Sequence, residues 1–360
     1  MMHRSSLKLG ATIIIGLLLV AAMYVIEAKR GIHDRLRAFV VNSYENKLAA
    51  PSSTPSLAPA PSSAASLSLT PLPTSQITPD LNLMEGSRHI KLLFLGDVML
   101  GRYVRTLMEK KSHDYPFELV RESLLSDKFD RVIANLEGPI VEVPNRAQSG
   151  TNFGFAPDTA KILKRNGIDI VSIANNHTLD QGEKGFESTK KYLAENAVEF
   201  FGNPILPTES EVLIKEINNK TFAFVGFHDA VRRLDDKKAI DLVKKIDPQV
   251  DHVIIFIHWG QEYKKTPSQR QRELARAFIE SGADLIIGHH PHVTQTIEDY
   301  KGVHIVYSLG NFIFDQYWSR ETQKGTAIEA VFSSSTGDDS IQLFEHPIDL
   351  PESRPKWLWE

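Results

Sequence analysis

Three imidazoles occupy the five residues 288–292, directly after the largely apolar run of residues 283–287. Neutral imidazole is the commonest metal ligand in proteins, and two histidines one or two residues apart at a strand end can bind one ion. The alternative is a local turn with solvated histidines. We expect His290 and His292 to be metal ligands, with His289 as a further candidate.

Other polar side chains follow apolar runs at the same kind of position. The runs predicted as strands cover residues 90–95, 131–134, 168–174, 221–227, 252–257 and 303–309. Ligands of open α/β sheets bind beyond the carboxyl ends of the strands, so the polar side chains found there should converge. Those expected at the site are Asp97, Glu137, Asn176, His177 and His258, with Asn135, Asp180, Glu262 and Asn311 as further candidates. Their oxygen and nitrogen atoms suit Zn²⁺, Mn²⁺, Fe or Mg²⁺.

Several of these residues have a second interpretation. Asp97 is either a metal ligand or the N-cap of a helix, and Glu137 is either a ligand or a solvated carboxylate in a turn. Arg102 either binds an anionic oxygen or pairs with a surface carboxylate. Glu262 stands four residues after His258 and is expected to orient that imidazole.

The turn after residues 168–174 has the strongest local pattern outside the histidine cluster. Asn176 offers a carbonyl ligand and His177 a general acid side by side, although a hydrogen-bonded turn explains them as well. His228 and Asp229 also follow a predicted strand, but they form the weakest pattern and we leave them outside the site.

Helical patterns lie between the predicted strands. Residues 157–166 and 183–196 are two of them, and a third would be capped by Thr266 and open with Pro267. Residues 327–332 and 341–344 predict a β-hairpin. The alternation of strand and helix predicts an α/β domain.

Composition limits the classes of function. The chain has 360 residues, a formal net charge of −4 and no cysteine. A nucleic-acid-binding protein would usually carry a basic stripe, so we expect no nucleic-acid partner. Disulfides and thiolate metal sites are excluded.

The first part of the chain differs from the rest. Residues 9–26 are eighteen uncharged residues, which span about 27 Å as a helix, close to the thickness of a hydrocarbon core. We interpret them as an uncleaved signal anchor, with a cleaved signal peptide as the alternative. Residues 48–79 contain seven prolines and no charge, which is typical of an extended, disordered linker.

The orientation of this anchor rests on two opposing signals. Four basic residues just after the span, Lys29, Arg30, Arg35 and Arg37, favour a cytoplasmic carboxyl side. The linker suits a domain held off the outer face of a membrane. We expect a single-pass cell-membrane protein with its folded domain outside, divided into a cytoplasmic tip and anchor (1–30), a juxtamembrane segment and linker (31–87) and a folded domain (88–350).

Taken together, six ordered motifs resemble the capsule-synthesis CapA family, also called the poly-γ-glutamate synthesis protein family. The motifs cover residues 94–102, 135–137, 174–182, 258–263, 288–295 and 307–315. That family is similar in turn to calcineurin-like metallophosphoesterases. The resemblance implies a four-layer α/β sandwich with one or two divalent metal ions at the strand ends.

The resemblance also implies roles for individual residues. It makes Asp97 and Asn176 metal ligands, His177 the acid, and His258 with the His290/His292 pair the rest of the metal shell. Two departures stand out. Met99 occupies the place of the histidine in the first phosphoesterase motif, and Glu137 stands where the second motif has an aspartate. The site therefore has either one ion or a substituted bridging ligand.

The leading hypothesis is a membrane-anchored, metal-dependent hydrolase for the synthesis, transport or release of an anionic capsular polymer such as poly-γ-glutamate. His177 would act as the acid and Arg102 would bind an oxyanion. One alternative is a non-catalytic scaffold that binds metal and polymer beside membrane synthase subunits. Another is a general metal-dependent phosphoesterase.

Overall fold

The computed structural model describes residues 89–147, 150–335 and 338–358 of the chain. The predicted anchor of residues 9–26 and the predicted linker of residues 48–79 lie outside these ranges, and the boundaries 1–30, 31–87 and 88–350 remain predictions. Within the described ranges, no helix is both long and apolar enough to cross a membrane.

Fourteen strands form two mixed sheets within the described ranges. In chain order the strands are β1 (Ile90–Val98), β2 (Arg131–Leu136), β3 (Ile170–Ser172), β4 (Glu199–Phe201), β5 (Leu213–Ile217), β6 (Lys220–Asp229), β7 (His252–Trp259), β8 (Leu285–His289), β9 (Ile297–Tyr300), β10 (Val303–Val306), β11 (Asn311–Ile313), β12 (Lys324–Ser335), β13 (Asp338–Asp349) and β14 (Lys356–Trp357).

Each sheet has a parallel centre and antiparallel edges. The first sheet has the order β14-β13-β12-β1-β2-β3-β4, with β11 beside the end of β1, and its strands β1 to β4 run parallel. The second sheet has the order β5-β6-β7-β8-β10-β9, and β6, β7, β8 and β10 run parallel. The carboxyl ends of four parallel strands therefore lie along one edge of each sheet.

Six α-helices connect the strands within the described ranges. They are α1 (Arg102–Lys110), α2 (Arg121–Leu124), α3 (Thr159–Arg165), α4 (Gly182–Glu195), α5 (Asp236–Ile246) and α6 (Gln269–Ile279). Short 3₁₀ turns cover Tyr115–Phe117, Glu209–Glu211, Asp247–Gln249 and Pro351–Ser353.

The two sheets pack face to face through an apolar layer. Leu92 and Phe94 of β1 enter this layer from one side, and Phe222 and Phe224 of β6 enter it from the other. The outer face of the first sheet packs against α1, α3 and α4, and the outer face of the second packs against α5 and α6. The layers run helices, sheet, sheet, helices, and the α/β prediction is confirmed. Because both faces of each sheet are covered, the central strands read as near-continuous apolar runs.

Local predictions mostly match these elements, with one cap displaced. The predicted helix after Thr266 begins at Gln269, and its N-cap is Ser268, whose hydroxyl accepts from the backbone N–H of Gln271 while the Gln271 side chain reaches back. The prediction of Thr266 as cap was wrong because Ser268 and Gln271 make a capping box two residues later. The predicted C-terminal hairpin is β12 and β13.

Candidate metal centre

Strand register places two rows of polar side chains at the end of the apolar layer. Side chains alternate between the two faces of a strand, so residues paired across neighbouring strands share a face. In the first sheet the row is Asn311, Asp97, Asn135 and Ser172. In the second sheet the row is His228, His258 and His289. Carboxylate and amide groups of one sheet thus meet imidazoles of the other.

Asp97 is fully buried at the end of β1 and faces hydrogen-bond donors. Its Oδ1 accepts from Asn135 Nδ2 at 2.8 Å and lies 3.3 Å from His289 Nδ1. Its Oδ2 lies 3.3 Å from His292 Nδ1 and 3.4 Å from the backbone nitrogen of His290. Burial would raise the pKa of Asp97, but the contacts with His289 and His292 outweigh it and hold this pKa well below its ordinary value.

The alternative role of Asp97 as a helix cap was wrong. Helix α1 begins at Arg102, its N-cap residue is Gly101, and no side chain of the described residues caps it. Asp97 belongs to β1, and its carboxylate contacts the polar side chains of the site instead of a helix N-terminus. Met99, which follows within the same motif, is fully buried, and its sulfur accepts from the Gly101 backbone N–H.

Glu137 is a buried carboxylate without a hydrogen-bond donor in the described part of the chain. It is fully buried and neither carboxylate oxygen has a hydrogen-bond partner there. Its Oε1 lies 3.6 Å from His292 Nε2 and 3.8 Å from His177 Nε2. Burial raises the pKa of Glu137 to about 7. The solvated alternative for this residue was wrong, and a cation bound beside this buried carboxylate would favour its charged form.

His292 has its proton position fixed by Asn311. The Asn311 amide nitrogen donates to the Thr322 carbonyl at 2.9 Å and to Gln316 Oε1 at 3.1 Å, so its oxygen faces His292 Nδ1, 3.0 Å away. Nδ1 must therefore carry a proton, and Nε2 is the atom left for a ligand on the side of Glu137. Burial opposes a charged His292, but Glu137 and Asp97 outweigh it and raise its pKa to about 9, so a metal ion that binds Nε2 would displace a proton.

His258 and His290 form the imidazole side of the site. His258 Nδ1 lies 3.2 Å from Asn135 Nδ2, and His258 Nε2 lies 3.1 Å from His290 Nδ1. Burial lowers the pKa of His258 well below its ordinary value and that of His290 to about 3. Both rings are therefore neutral, which is the form that binds metal.

Two groups of ligand atoms are close enough to hold an ion. One consists of Asp97, Glu137 and His258, and the other of Glu262, His290 and His292; within each group the atoms lie within 4.8 Å of one another. The unpartnered oxygens of Glu137 show that the residues fit a cation, because an ion would satisfy them. Carboxylate and imidazole groups suit Zn²⁺, Mn²⁺ or Fe.

Glu262 does not orient His258 as predicted. Its exposed carboxylate belongs to the group with His290 and His292, whereas the two ring nitrogens of His258 face Asn135 and His290. The spacing of four residues misled the prediction because His258 is the penultimate residue of β7, after which the chain turns through Gly260 at φ +84°.

Two residues after β3 form an imidazole–carboxylate pair. His177 Nδ1 donates to Asp180 Oδ2 at 2.8 Å, and the same oxygen accepts from the Phe153 backbone N–H at 2.6 Å. The His177 ring stacks on Phe153 with centroids 4.0 Å apart. Asn176 Oδ1 is buried and has no hydrogen-bond partner among the described residues, which keeps it a candidate ligand.

Arg102 is already paired. Its guanidinium binds both carboxylate oxygens of Asp315 and donates to the Gly150 carbonyl. It lies over the rings of Phe153 and Phe314, 5.0 and 5.4 Å from their centroids. These rings also contact His177 and His292, so Arg102 lies behind the site and would have to leave Asp315 to reach a substrate.

The backbone of the histidine cluster is strained. His290 and His292 have φ values of +93° and +56°, in a region that costs a non-glycine residue about 1–3 kcal/mol. Gly288 lets the Tyr307 carbonyl approach the backbone of β8, because a Cβ at position 288 would lie 2.1 Å from the Tyr307 carbonyl oxygen. Trp259 packs here, fully buried with its indole N–H donating to that carbonyl.

A depression of about 410 Å³ opens next to the imidazole side of the site. It is lined by Val231, Gly260, Gln261, Glu262, Tyr263 and His290. Two loops form its walls, and each carries a pair of exposed basic residues, Arg232 with Arg233 and Lys264 with Lys265. Arg233 pairs with Asp236, and Lys265 pairs with Glu321.

The chain has relatives among proteins of capsule synthesis. The sequence profile described as "Bacterial capsule synthesis protein PGA_cap" matches residues 91–316. The "PGA biosynthesis protein CapA" of Bacillus subtilis (strain 168) is 33% identical over 279 residues, which cover 73% of this chain and 72% of that protein. The "Capsule biosynthesis protein CapA" of Bacillus anthracis is 31% identical over 289 residues, covering 74% and 69%.

A more distant relative comes from Mycobacterium tuberculosis (strain ATCC 25618 / H37Rv). It is described as a "Probable polyglutamine synthesis accessory protein" and is 25% identical over 189 residues, which cover 45% of this chain and 50% of that protein. The profile match covers more than half of the chain, and the Bacillus subtilis relative matches over more than two thirds of it. The chain therefore belongs to the family of the bacterial capsule synthesis protein PGA_cap.

Proposed function

We propose that this protein serves the biosynthesis of an anionic capsular polymer of the poly-γ-glutamate type and acts there as a metal-dependent hydrolase. The names of the two Bacillus relatives support the role in capsule synthesis. The observation that carries the hydrolase proposal is the buried carboxylate of Glu137, which faces His292 and His177 and lacks a hydrogen-bond donor in the described ranges.

The ligands that would hold one or two divalent ions are Asp97, Glu137, Asn176, His258, His290 and His292, joined by Glu262. A bound divalent ion lowers the pKa of a coordinated water and neutralises charge that develops in a transition state. Asn135 holds the carboxylate of Asp97 through a hydrogen bond, and Asn311 does the same for the His292 ring. These contacts fix the ligand atoms before any substrate arrives.

His177 would supply the proton that the leaving group needs. Asp180 accepts from Nδ1, so Nε2 faces the site on the side of Glu137. Stacking on Phe153 restricts rotation of the ring. Arg102 remains a proposed oxyanion-binding group that must exchange Asp315 for substrate.

The basic residues around the depression support an anionic polymer as the substrate. Arg232 and Lys264 stand on opposite loops, next to the lining residues Val231 and Tyr263. Positive charge beside a cleft raises the local concentration of an anionic ligand. Membrane anchoring through residues 9–26, an outward-facing domain and contacts with membrane synthase subunits belong to the proposal on the sequence alone.

The test compares the wild-type chain with His177→Ala, using poly-γ-glutamate and a generic phosphodiester as substrates with Mn²⁺ or Zn²⁺. Loss of a general acid should lower turnover by about 100- to 10,000-fold while bound metal stays the same. His113→Ala, at a half-exposed histidine that pairs with Asp158, is the matched control. Hydrolysis of the phosphodiester alone would assign a phosphoesterase.

A scaffold without catalysis is the second candidate, and Met99 favours it. This buried thioether stands where phosphoesterases have a ligating histidine, which removes one nitrogen from the metal shell. If cells that carry His177→Ala still make polymer at the wild-type level, the scaffold is correct and the hydrolase proposal is wrong.

A further inference from the structure

His228 lies in the same row as the proposed ligands but is not one of them. It stands at the end of β6, directly opposite His258 of β7, which in turn stands opposite His289 of β8. Phe222 and Phe224 of the same strand face the layer between the sheets. Because side chains alternate along a strand, His228 faces that layer too, at the end where the polar groups gather.

One ring nitrogen of His228 is accounted for. Its Nδ1 lies 2.9 Å from the carbonyl oxygen of Pro204. A carbonyl only accepts, so Nδ1 must be the protonated nitrogen. In a neutral ring the lone pair is then on Nε2, the atom further from the backbone.

The other ring nitrogen has no partner. His228 is 4% exposed, and its Nε2 has no hydrogen-bond partner among the described residues. Burying a hydrogen-bond acceptor costs free energy when the acceptor loses its hydrogen bond to water and gains no protein donor. His292, by contrast, has Asn311 on one nitrogen and Glu137 near the other.

The His228 ring lies beside His258, one of the proposed metal ligands. The His258 ring is the near neighbour, with centroids 6.1 Å apart and planes at 64°, and His258 contacts His290. Asp229 is held elsewhere, because it accepts from the Leu234 backbone N–H and from Arg270. The Asp229 contacts fix the end of β6, which holds the His228 ring in place.

We propose that His228 is a further nitrogen ligand of the metal centre, binding a divalent cation through Nε2 beside His258 and His290. This inference rests on the metal centre of the proposed function. The imidazole side of the site then has three rings from two adjacent strands and the loop after β8, opposite the carboxylates of Asp97 and Glu137.

The test measures binding of Zn²⁺ and Mn²⁺ to the full-length, metal-free chain by titration calorimetry, with elemental analysis after dialysis. In His228→Asn, the shorter amide can still donate to the Pro204 carbonyl, but Nε2 is lost. We expect at least about tenfold weaker binding and an unchanged urea midpoint in the absence of metal. His252→Asn, which removes a buried imidazole at the opposite end of β7, should bind as the wild type does.

Each outcome supports or overturns the proposal that His228 is a metal ligand. Wild-type affinity in His228→Asn overturns the role of His228, while loss of binding in Asp97→Asn in the same series would show that the centre itself stands. If His228→Asn fails to fold, His228→Leu, which has no ligand atom, replaces it: weaker binding supports the proposal and unchanged binding overturns it. A wild-type chain that takes up neither ion overturns this proposal together with the metal centre.

Discussion

The substitution Asp97→Asn keeps the shape of the side chain and reverses its hydrogen bonding on one side. Around this carboxylate the described residues place hydrogen-bond donors on both sides: Asn135 Nδ2 near one oxygen, and His292 Nδ1 and the His290 backbone N–H near the other. The amide nitrogen of an asparagine would face donors in either orientation. No flip of the amide relieves the conflict.

The donor assignment near Oδ1 comes from a chain of amides. Asn175 Nδ2 donates to the Leu136 carbonyl at 2.8 Å and to Asn135 Oδ1 at 3.2 Å. Asn135 must then present its nitrogen to Asp97. The orientation of Asn135 is thus fixed, through Asn175, by the backbone carbonyl of Leu136.

The magnitude follows from the hydrogen bonds that the substitution removes. A hydrogen bond to a charged group contributes about 1.5–3 kcal/mol, and an unsatisfied buried donor costs about 1–3 kcal/mol. Asp97→Asn removes the charge and turns one hydrogen bond into a donor–donor clash, so we expect the free energy of unfolding without metal to fall by about 3 kcal/mol. Affinity for Zn²⁺ or Mn²⁺ should fall at least about 100-fold, because the metal no longer has a charged ligand at this position.

Urea unfolding of the metal-free chain and calorimetric titration with metal measure the two effects. The control is Asp169→Asn, at a half-buried aspartate that accepts from the Val132 backbone N–H and from Lys164 at the opposite end of the first sheet. Asp169→Asn should lower the free energy of unfolding by less than about 1 kcal/mol and leave metal affinity unchanged. An Asp97→Asn chain with wild-type stability and affinity would refute the donor arrangement and the role of Asp97 as a ligand.

Two further predictions concern the support of the site and its mouth. Gly288→Ala should lower the free energy of unfolding by about 3 kcal/mol, as measured by urea unfolding, because its Cβ would lie 2.1 Å from the Tyr307 carbonyl oxygen. Overpacking of this kind costs about 1–3 kcal/mol, and the clash would also disturb the hydrogen bond that this carbonyl accepts from Trp259. The double substitution Arg232→Glu with Lys264→Glu should weaken binding of poly-γ-glutamate about tenfold at low salt. The loss should be smaller at high salt, because salt screens exposed charges, and a titration at two ionic strengths measures the difference.

Both predictions have internal controls. Gly302→Ala has a positive φ of +80° but no atom within 4 Å of its Cβ, so it should cost only about 1 kcal/mol for the backbone. If the two alanines cost the same, the packing argument for Gly288 is wrong. Polymer binding that is equally weak at both salt concentrations would contradict an electrostatic role for Arg232 and Lys264.

The rule that ligands gather at the carboxyl ends of parallel strands accounts for most of what could be predicted. It places Asp97, His258 and the His290/His292 pair in one site because each directly follows an apolar run. The sequence does not determine strand register, however. His228 also follows an apolar run, but residues 228 and 229 form a weak pattern, and the pairing of His228 with His258 is invisible without the sheet.

Long-range pairs limit prediction in a second way. Arg102 binds Asp315, 213 residues further along the chain, so its charge is already matched before any anion arrives. The spacing in the sequence predicts that Glu262 contacts His258, but the turn after β7 places its carboxylate near His290 and His292. Burial of Glu137 depends on both sheets and could not be read from its turn sequence.

The central claim is that side chains from both sheets bind one inorganic centre. The most direct measurement is a crystal structure of the chain grown with Mn²⁺ or Zn²⁺, with anomalous scattering recorded at the absorption edge of the metal. We predict an anomalous peak within about 2.3 Å of ligand atoms from Asp97, Glu137, His258 or His292. No peak in this region, or a peak held only by surface residues elsewhere, would contradict the claim.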